Sequence, residues 1–140
     1  MTWKELKDHV MNLGFDEDAP SLDSQNIEDI LIVSANRAIN LIQKTIVEKY
    51  EKYFEAKYED EGWELPVIKP ITATTAATFK IQIPDKVVDL VPLLMAHYVW
   101  LDDDIQKATM YYNEYEQFKT QFEDEMNRPY KVDFYGGLGW

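Results

Sequence analysis

Three aspartates, Asp102, Asp103 and Asp104, stand side by side in the stretch WLDDDIQKATMYYNEYEQF. Carboxylates in that number could ligate a divalent cation or share acid–base work, so they come first in any search for chemistry. Their spacing suits neither task. Consecutive residues on a helix point in different directions and do not converge on one ion. A calcium loop of the EF-hand kind needs alternating acidic residues and a glycine at its sixth place, whereas the chain from Asp102 reads D-D-D-I-Q-K. Aspartate is, however, a favoured N-cap, and a carboxylate in a first helical turn gains about 0.3–1 kcal/mol from the helix dipole. A helix-capping turn at Asp102, Asp103 and Asp104 is therefore the expected role. A carboxylate-based, metal-dependent hydrolase is the competing reading, and it would need the triplet itself.

Other residue types add little chemistry. His9 and His97 have no partner at the spacing of an H-E-x-x-H zinc helix. With no cysteine there is neither a thiolate metal site nor a disulfide framework. The chain has no G-x-S-x-G and no phosphate-cradling G-x-x-x-x-G-K. The expectation is a protein that is not an enzyme, with no catalytic residue, no metal ligand and no cofactor.

The elements that would position these residues can be read from periodicity. In TWKELKDHVMNLG, Thr2 and Glu5 make a capping box, Trp3, Leu6, Val10 and Leu13 share a helical face, and Gly14 stops the helix. FDEDAPSLDSQN reads as a polar loop. A long helix follows from Ser24 or Asn26, with Ile27, Ile30, Leu31, Ala35, Ala38, Ile42 and Ile46 in period. Tyr50, Tyr53 and Phe54 extend it towards Gly62. The next segment is rich in Thr, Val and Ile, and TFKIQI alternates strictly, with Phe79, Ile81 and Ile83 on one side. That pattern predicts a β-hairpin arm over about 64–84 with its turn near Ala73 to Ala77, its first half confined to an edge by Pro66 and Pro70. An isolated hairpin is marginal in water, so it would need helices or a neighbouring subunit to lie against.

Asp85 then N-caps a third helix with Val88, Val91, Leu94, Met95, Tyr98 and Leu101 as its stripe. Pro92 either kinks that helix or opens its main part as the first residue. A fourth helix runs from Asp104 to about Met126, carrying Ile105, Ala108, Tyr112, Tyr115, Phe118 (or Lys119) and Phe122. Residues 127–140 hold one proline and three glycines and read as an extended tail. The predicted fold is thus mainly α: one domain over 1–126, a small bundle of about four helices with an inserted β-hairpin, and an extended C-terminal docking tail.

Tyr111, Tyr112 and Tyr115 span too wide an arc to face one core. Either Tyr112 and Tyr115 pack inward with Tyr111 half-exposed, or one face meets the chain's own hairpin and another meets a neighbour. On the second reading Tyr111, Tyr115, Phe79 and Ile81 form a subunit interface. Aromatics on a flexible end offset the entropy of ordering it by docking, which marks Phe134, Tyr135, Gly136, Gly137, Leu138 and Trp140 as docking residues. The net charge is −12, from 26 acidic and 14 basic residues, which opposes binding to nucleic-acid phosphates. A surface that DNA must pass without sticking would tolerate such a charge. No run approaches the length of apolar chain that spans a membrane, and MTWKELKDHV lacks the layout of a signal peptide.

The order of these parts, and above all IPDKVVDLVPLLMAHYVWLDDDIQKATMYYNEYEQFKTQF, resembles the head–tail connector (adaptor, or head-completion) proteins of tailed bacteriophages. The features that carry the resemblance are Pro84, the helix at Leu93 to Leu101, the acidic turn, and the Ala- and Tyr-bearing helix from Ala108 to Phe118. TWKELKDHVMNLG, ANRAIN at Ala35 to Asn40, and YGGLGW are also similar to parts of that family. The resemblance implies a virion protein made in the host cytoplasm that forms a homo-oligomeric ring, commonly of about twelve subunits. The ring would sit beneath the portal protein, extend the channel through which DNA leaves, and join the head to the next neck or tail protein. The C-terminal tail would reach the portal. The alternative from the residues alone is a small acidic helical adaptor or regulator that binds another protein through an aromatic surface.

Overall fold

The stretch LVPLLMAHYVW is apolar on every side, so a helix made from it must be surrounded. In the computed structural model, which describes residues 1–14 and 24–137 (side chains over 1–13 and 27–127), it is surrounded. Helix α4 (Leu90–Trp100) packs against α1 (Trp3–Gly14), α2 (Ser24–Ile42) and α5 (Ile105–Gly137). Leu90, Val91, Leu94, Met95, Ala96, Val99 and Trp100 are all buried. Small residues let the backbones approach: Ala35 and Ala38 of α2, Ala96 of α4 and Ala108 of α5 are at most 1% exposed. Pro92 sits third in α4, within the first turn, where its missing N–H would have no intrahelical partner. A separate turn precedes it, with the Val87 and Val88 N–H groups donating to the Pro84 carbonyl at 2.9 and 3.0 Å.

Helix α1 begins on a capping box. The Glu5 N–H donates to Thr2 Oγ1 at 3.2 Å, and the Thr2 hydroxyl donates to Glu5 Oε1 at 3.1 Å. Trp3, Leu6 and Val10 bury against α4, and Lys7 pairs with Glu28 at 3.3 Å to tie α1 to α2. The loop expected after Gly14 lies largely outside the described residues.

The long second helix is interrupted. After Ile42 the chain takes one π-helical turn over Gln43–Val47, with the Glu48 N–H donating to the Gln43 carbonyl at 2.9 Å. Ile42, Ile46 and Val47 are all fully buried along this turn. A short helix α3 (Glu51–Lys57) and a 3₁₀ turn at Glu59–Glu61 follow, and Gly62 ends the run at φ +65°. The window Ile27–Val47 has the length and hydropathy of a membrane span, but half of it is buried inside the body, as in a core helix.

The predicted β-hairpin over 64–84 is not formed: the described residues contain no β-strand, and a lone antiparallel bridge joins Thr2 to Lys80. TFKIQI does alternate, with Ile81 and Ile83 buried, but its backbone partner is the chain's beginning. The Trp3 N–H donates to the Phe79 carbonyl at 2.8 Å, and the Ile81 N–H to the Met1 carbonyl at 2.9 Å. Side-chain amides serve the other half. Asn36 grips Ile71 from both sides, accepting its N–H at 2.8 Å and donating to its carbonyl at 2.9 Å. Gln82 Oε1 accepts the Lys69 N–H at 2.7 Å, and Gln43 Nε2 donates to the Pro66 carbonyl at 3.1 Å. Pro66 and Pro70 have no N–H to offer a ladder, so these amides satisfy the segment where a strand could not.

The tail is also unlike its expectation. Residues 127–137 continue α5 as helix rather than extending away, and residues 138–140 lie outside the described ones. Between Gly62 and Gly136 the chain has no glycine, and the stretch from Phe122 to Lys131 is rich in Glu, Met, Arg and Lys, all good helix formers. Only Pro129 interrupts it.

Asn36→Ala should lower stability by about 1–3 kcal/mol, because both backbone groups of Ile71 lose their partner. Urea denaturation checks this; an unchanged midpoint would show that the clamp is dispensable.

Candidate functional site

The acidic turn is held by backbone geometry. The Asp103 and Asp104 N–H groups donate to the Trp100 carbonyl at 3.2 and 2.9 Å, closing α4. Asp104 then opens α5: its Oδ1 accepts the Lys107 N–H at 3.1 Å, and its carbonyl accepts the Ala108 N–H at 2.9 Å. Asp102, Asp103 and Asp104 are all exposed. Among the described residues no three His, Cys, Asp or Glu side chains gather as a metal site would require.

The turn folds α5 back on α4, and polar and aromatic contacts fix the corner. His97 Nδ1–H donates to the Ala108 carbonyl at 2.8 Å, a bond that sets the imidazole tautomer, because a carbonyl can only accept. The His97 ring also lies 4.9 Å from that of Tyr112, and the Lys107 ammonium sits 4.1 Å over the Trp100 ring. His97 thus serves the packing of one helix on another.

The tyrosines divide differently from the sequence reading. Tyr111 and Tyr115 are buried, on the same side of α5 as the buried Ala108, while Tyr112 is turned outward over His97 at 38% exposure. Burial pushes the Tyr115 hydroxyl up to about 12. A hydrogen bond to Glu116, more than burial, raises Tyr112. Ile81 is buried and Phe79 half-buried, so Tyr111, Tyr115 and Ile81 pack within the chain's own core. Phe134, Tyr135, Gly136 and Gly137 lie in the last turn of α5, where side chains are not among those described; Leu138 and Trp140 lie outside the described residues.

Farther along, α5 is pinned to the turn after the π segment. The Tyr50 hydroxyl donates to Glu123 Oε2 at 2.6 Å, and the Lys49 ammonium reaches the same oxygen at 3.4 Å. Burial pushes the Glu123 carboxyl up, but these two donors outweigh it and hold the group below its ordinary range. Lys86 pairs with Glu125 on the neighbouring turn.

Two surface features escaped the sequence reading. Along the outer side of α2, Val33, Arg37 and Leu41 stand at four-residue intervals, followed by Lys44. Val33 is 58% exposed and Leu41 36%. The Arg37 guanidinium stacks on the Tyr98 ring at 4.1 Å, and among the described residues neither Arg37 nor Lys44 forms an ion pair. Elsewhere, His9, Asp89, Leu90, Leu93, Phe118 and Phe122 line a groove of about 410 Å³. Phe122 also belongs to an adjoining depression of about 350 Å³ with Gln121, Asp124 and Glu125. The helical period that marks a core says nothing of a second, exposed stripe, so neither feature had a signal to find it by.

No family model, curated protein or solved structure matches the chain.

Asp104→Ala should cost about 1 kcal/mol, the usual value of an N-cap, while Asp102→Asn and Asp103→Asn should stay within about 0.5 kcal/mol. Thermal melts of the three variants decide this; equal losses at all three positions would contradict it. Glu123 has its folded pKa below the ordinary 4.5, so its contribution is present above that pH and is lost as pH falls through the lowered value. The stability gap between the native chain and Glu123→Gln should therefore shrink on acidification, and a gap that ignores pH would contradict the pairing.

Proposed function

We propose that this chain is a structural subunit of a bacteriophage neck: a head–tail connector that forms a ring beneath the portal, extends the DNA channel and joins head to tail. The observation that carries this reading is the unit formed by α4, the acidic turn and α5. It is the segment on which the resemblance to connector proteins rests most, and the rest of the body is packed around it. Helix α5 adds a second support. Its 33 residues make a rod about 50 Å long at 1.5 Å per residue. A rod of that length can carry the aromatic C-terminal residues away from the body and towards the portal. The proposal keeps Phe134 to Trp140 as the docking segment, now borne on a helical end.

The role needs no catalytic residue and no cofactor. An acidic chain would repel DNA phosphates, which suits a channel through which the genome slides. Burial takes Tyr111, Tyr115 and Ile81 out of the expected subunit interface, and the rival reading, an adaptor docking through an aromatic surface, is left with the exposed Tyr112 and Phe118.

Mass photometry of the chain mixed with portal protein should reveal a multi-copy complex, and deletion of Phe134 to Trp140 should abolish it without lowering the melting temperature. Undiminished docking of the truncated chain would remove the tail from the proposal. A native chain that ignores portal would remove the connector role.

A further inference from the structure

The two surface features differ in a way that makes them fit one another. The α2 ridge is apolar with cations: Val33 and Leu41 project, with Arg37 between them and Lys44 beyond. The groove beside α5 is apolar with anions at its margin: Leu93, Phe118 and Phe122 line it with His9, Asp89 stands in its wall, and Asp124 lines the adjoining depression beside Glu125, which Lys86 already pairs. Met110 and Phe118, 46% and 43% exposed, continue the apolar strip along α5, with Glu114 between them. Arg37 and Lys44 stand two helical turns apart on this side, and among the described residues neither forms an ion pair. Asp29 and Asp102 share a depression with Val33 and Arg37, at the end of the ridge away from Lys44, and form no ion pair with Arg37.

We infer that the α2 ridge of one copy docks into the α5 groove of the next copy. A helix ridge entering a groove between helices is the ordinary geometry of helix packing. Arg37 and Lys44 would lie against Glu114 and Asp124, with Val33 and Leu41 against Met110, Phe118 and Leu93. The partner is a second copy because the complement to each face is present on the chain itself. The two faces are different surfaces, so the contact is heterologous and repeats head to tail, closing into a ring if the rotation allows. This inference rests on the connector reading and names the subunit contact it leaves open.

A charge exchange tests it. One variant carries Arg37→Glu with Lys44→Glu, and a second carries Glu114→Lys with Asp124→Lys; all four side chains are at least partly exposed and lie outside the core. Sedimentation velocity at low salt should show the native chain self-associating. Each variant alone should associate at least about tenfold more weakly, because like charges then face each other. An equimolar mixture should recover native association, since both junctions of an alternating assembly are again complementary. Thermal melts confirm that each variant folds. Native chains that assemble while both variants assemble equally well would overturn this contact and leave the ring intact. A native chain that stays monomeric at all concentrations, with portal and without, would overturn both.

Discussion

The burial of α4 is the constraint from which the rest of the structure follows. A helix that is apolar all round cannot sit on a surface, and burying each large side chain is worth about 1.5–3 kcal/mol. Its neighbours are therefore obliged to cover it: α1 with Trp3, Leu6 and Val10, α2 with Ala35, Ala38 and Ile39, and α5 with Ala108, Tyr111 and Tyr115. The acidic turn is the shortest way to bring α5 back along α4, and its three charges remain in water where a tight turn costs least. Even the extended segment before α4 obeys the same demand. Ile71, Ile81 and Ile83 close the core, and amide side chains accommodate the backbone that carries them.

Helix positions were legible from a clear apolar period on α1 and α2 and from a continuous apolar run on α4. Trp3, Leu6 and Val10 on α1, Leu31, Ala35 and Ala38 on α2, and Leu94 and Met95 on α4 bury where the pattern predicts. The capping box at Thr2 and Glu5 was equally plain, since its signal is purely local. The hairpin was misread for a physical reason. Alternation in TFKIQI reports that one side is buried, but it cannot report which backbone lies alongside. That partner is the N-terminus, far away in sequence, while the nearer candidate is disabled by Pro66 and Pro70. The π turn at Gln43 was illegible for a related reason: it adjusts phase to tertiary packing, and no residue type announces it. Between Tyr111 and Tyr112, a single step of rotation about α5 decided which ring went inside.

On the functional side, the sequence pointed to the acidic triplet and to the aromatics, and the structure gives each a different weight. Asp104 is a cap, and the exposed Asp102 and Asp103 complete a turn. Of the early aromatics of α5, Tyr111 and Tyr115 are core, with Tyr112 and Phe118 left at the surface. What remains outside is a cationic ridge and an acidic groove, each with apolar side chains in its middle. The heterologous contact inferred above would use both at once.

Single-particle cryo-electron microscopy of the full chain incubated with portal protein tests the connector role most directly. The expected result is a closed ring of copies coaxial with the portal, with an α2 of each subunit against an α5 of its neighbour and the C-terminal residues of α5 on the portal side. Portal particles that remain bare, beside a chain that is only ever a monomer, would contradict it.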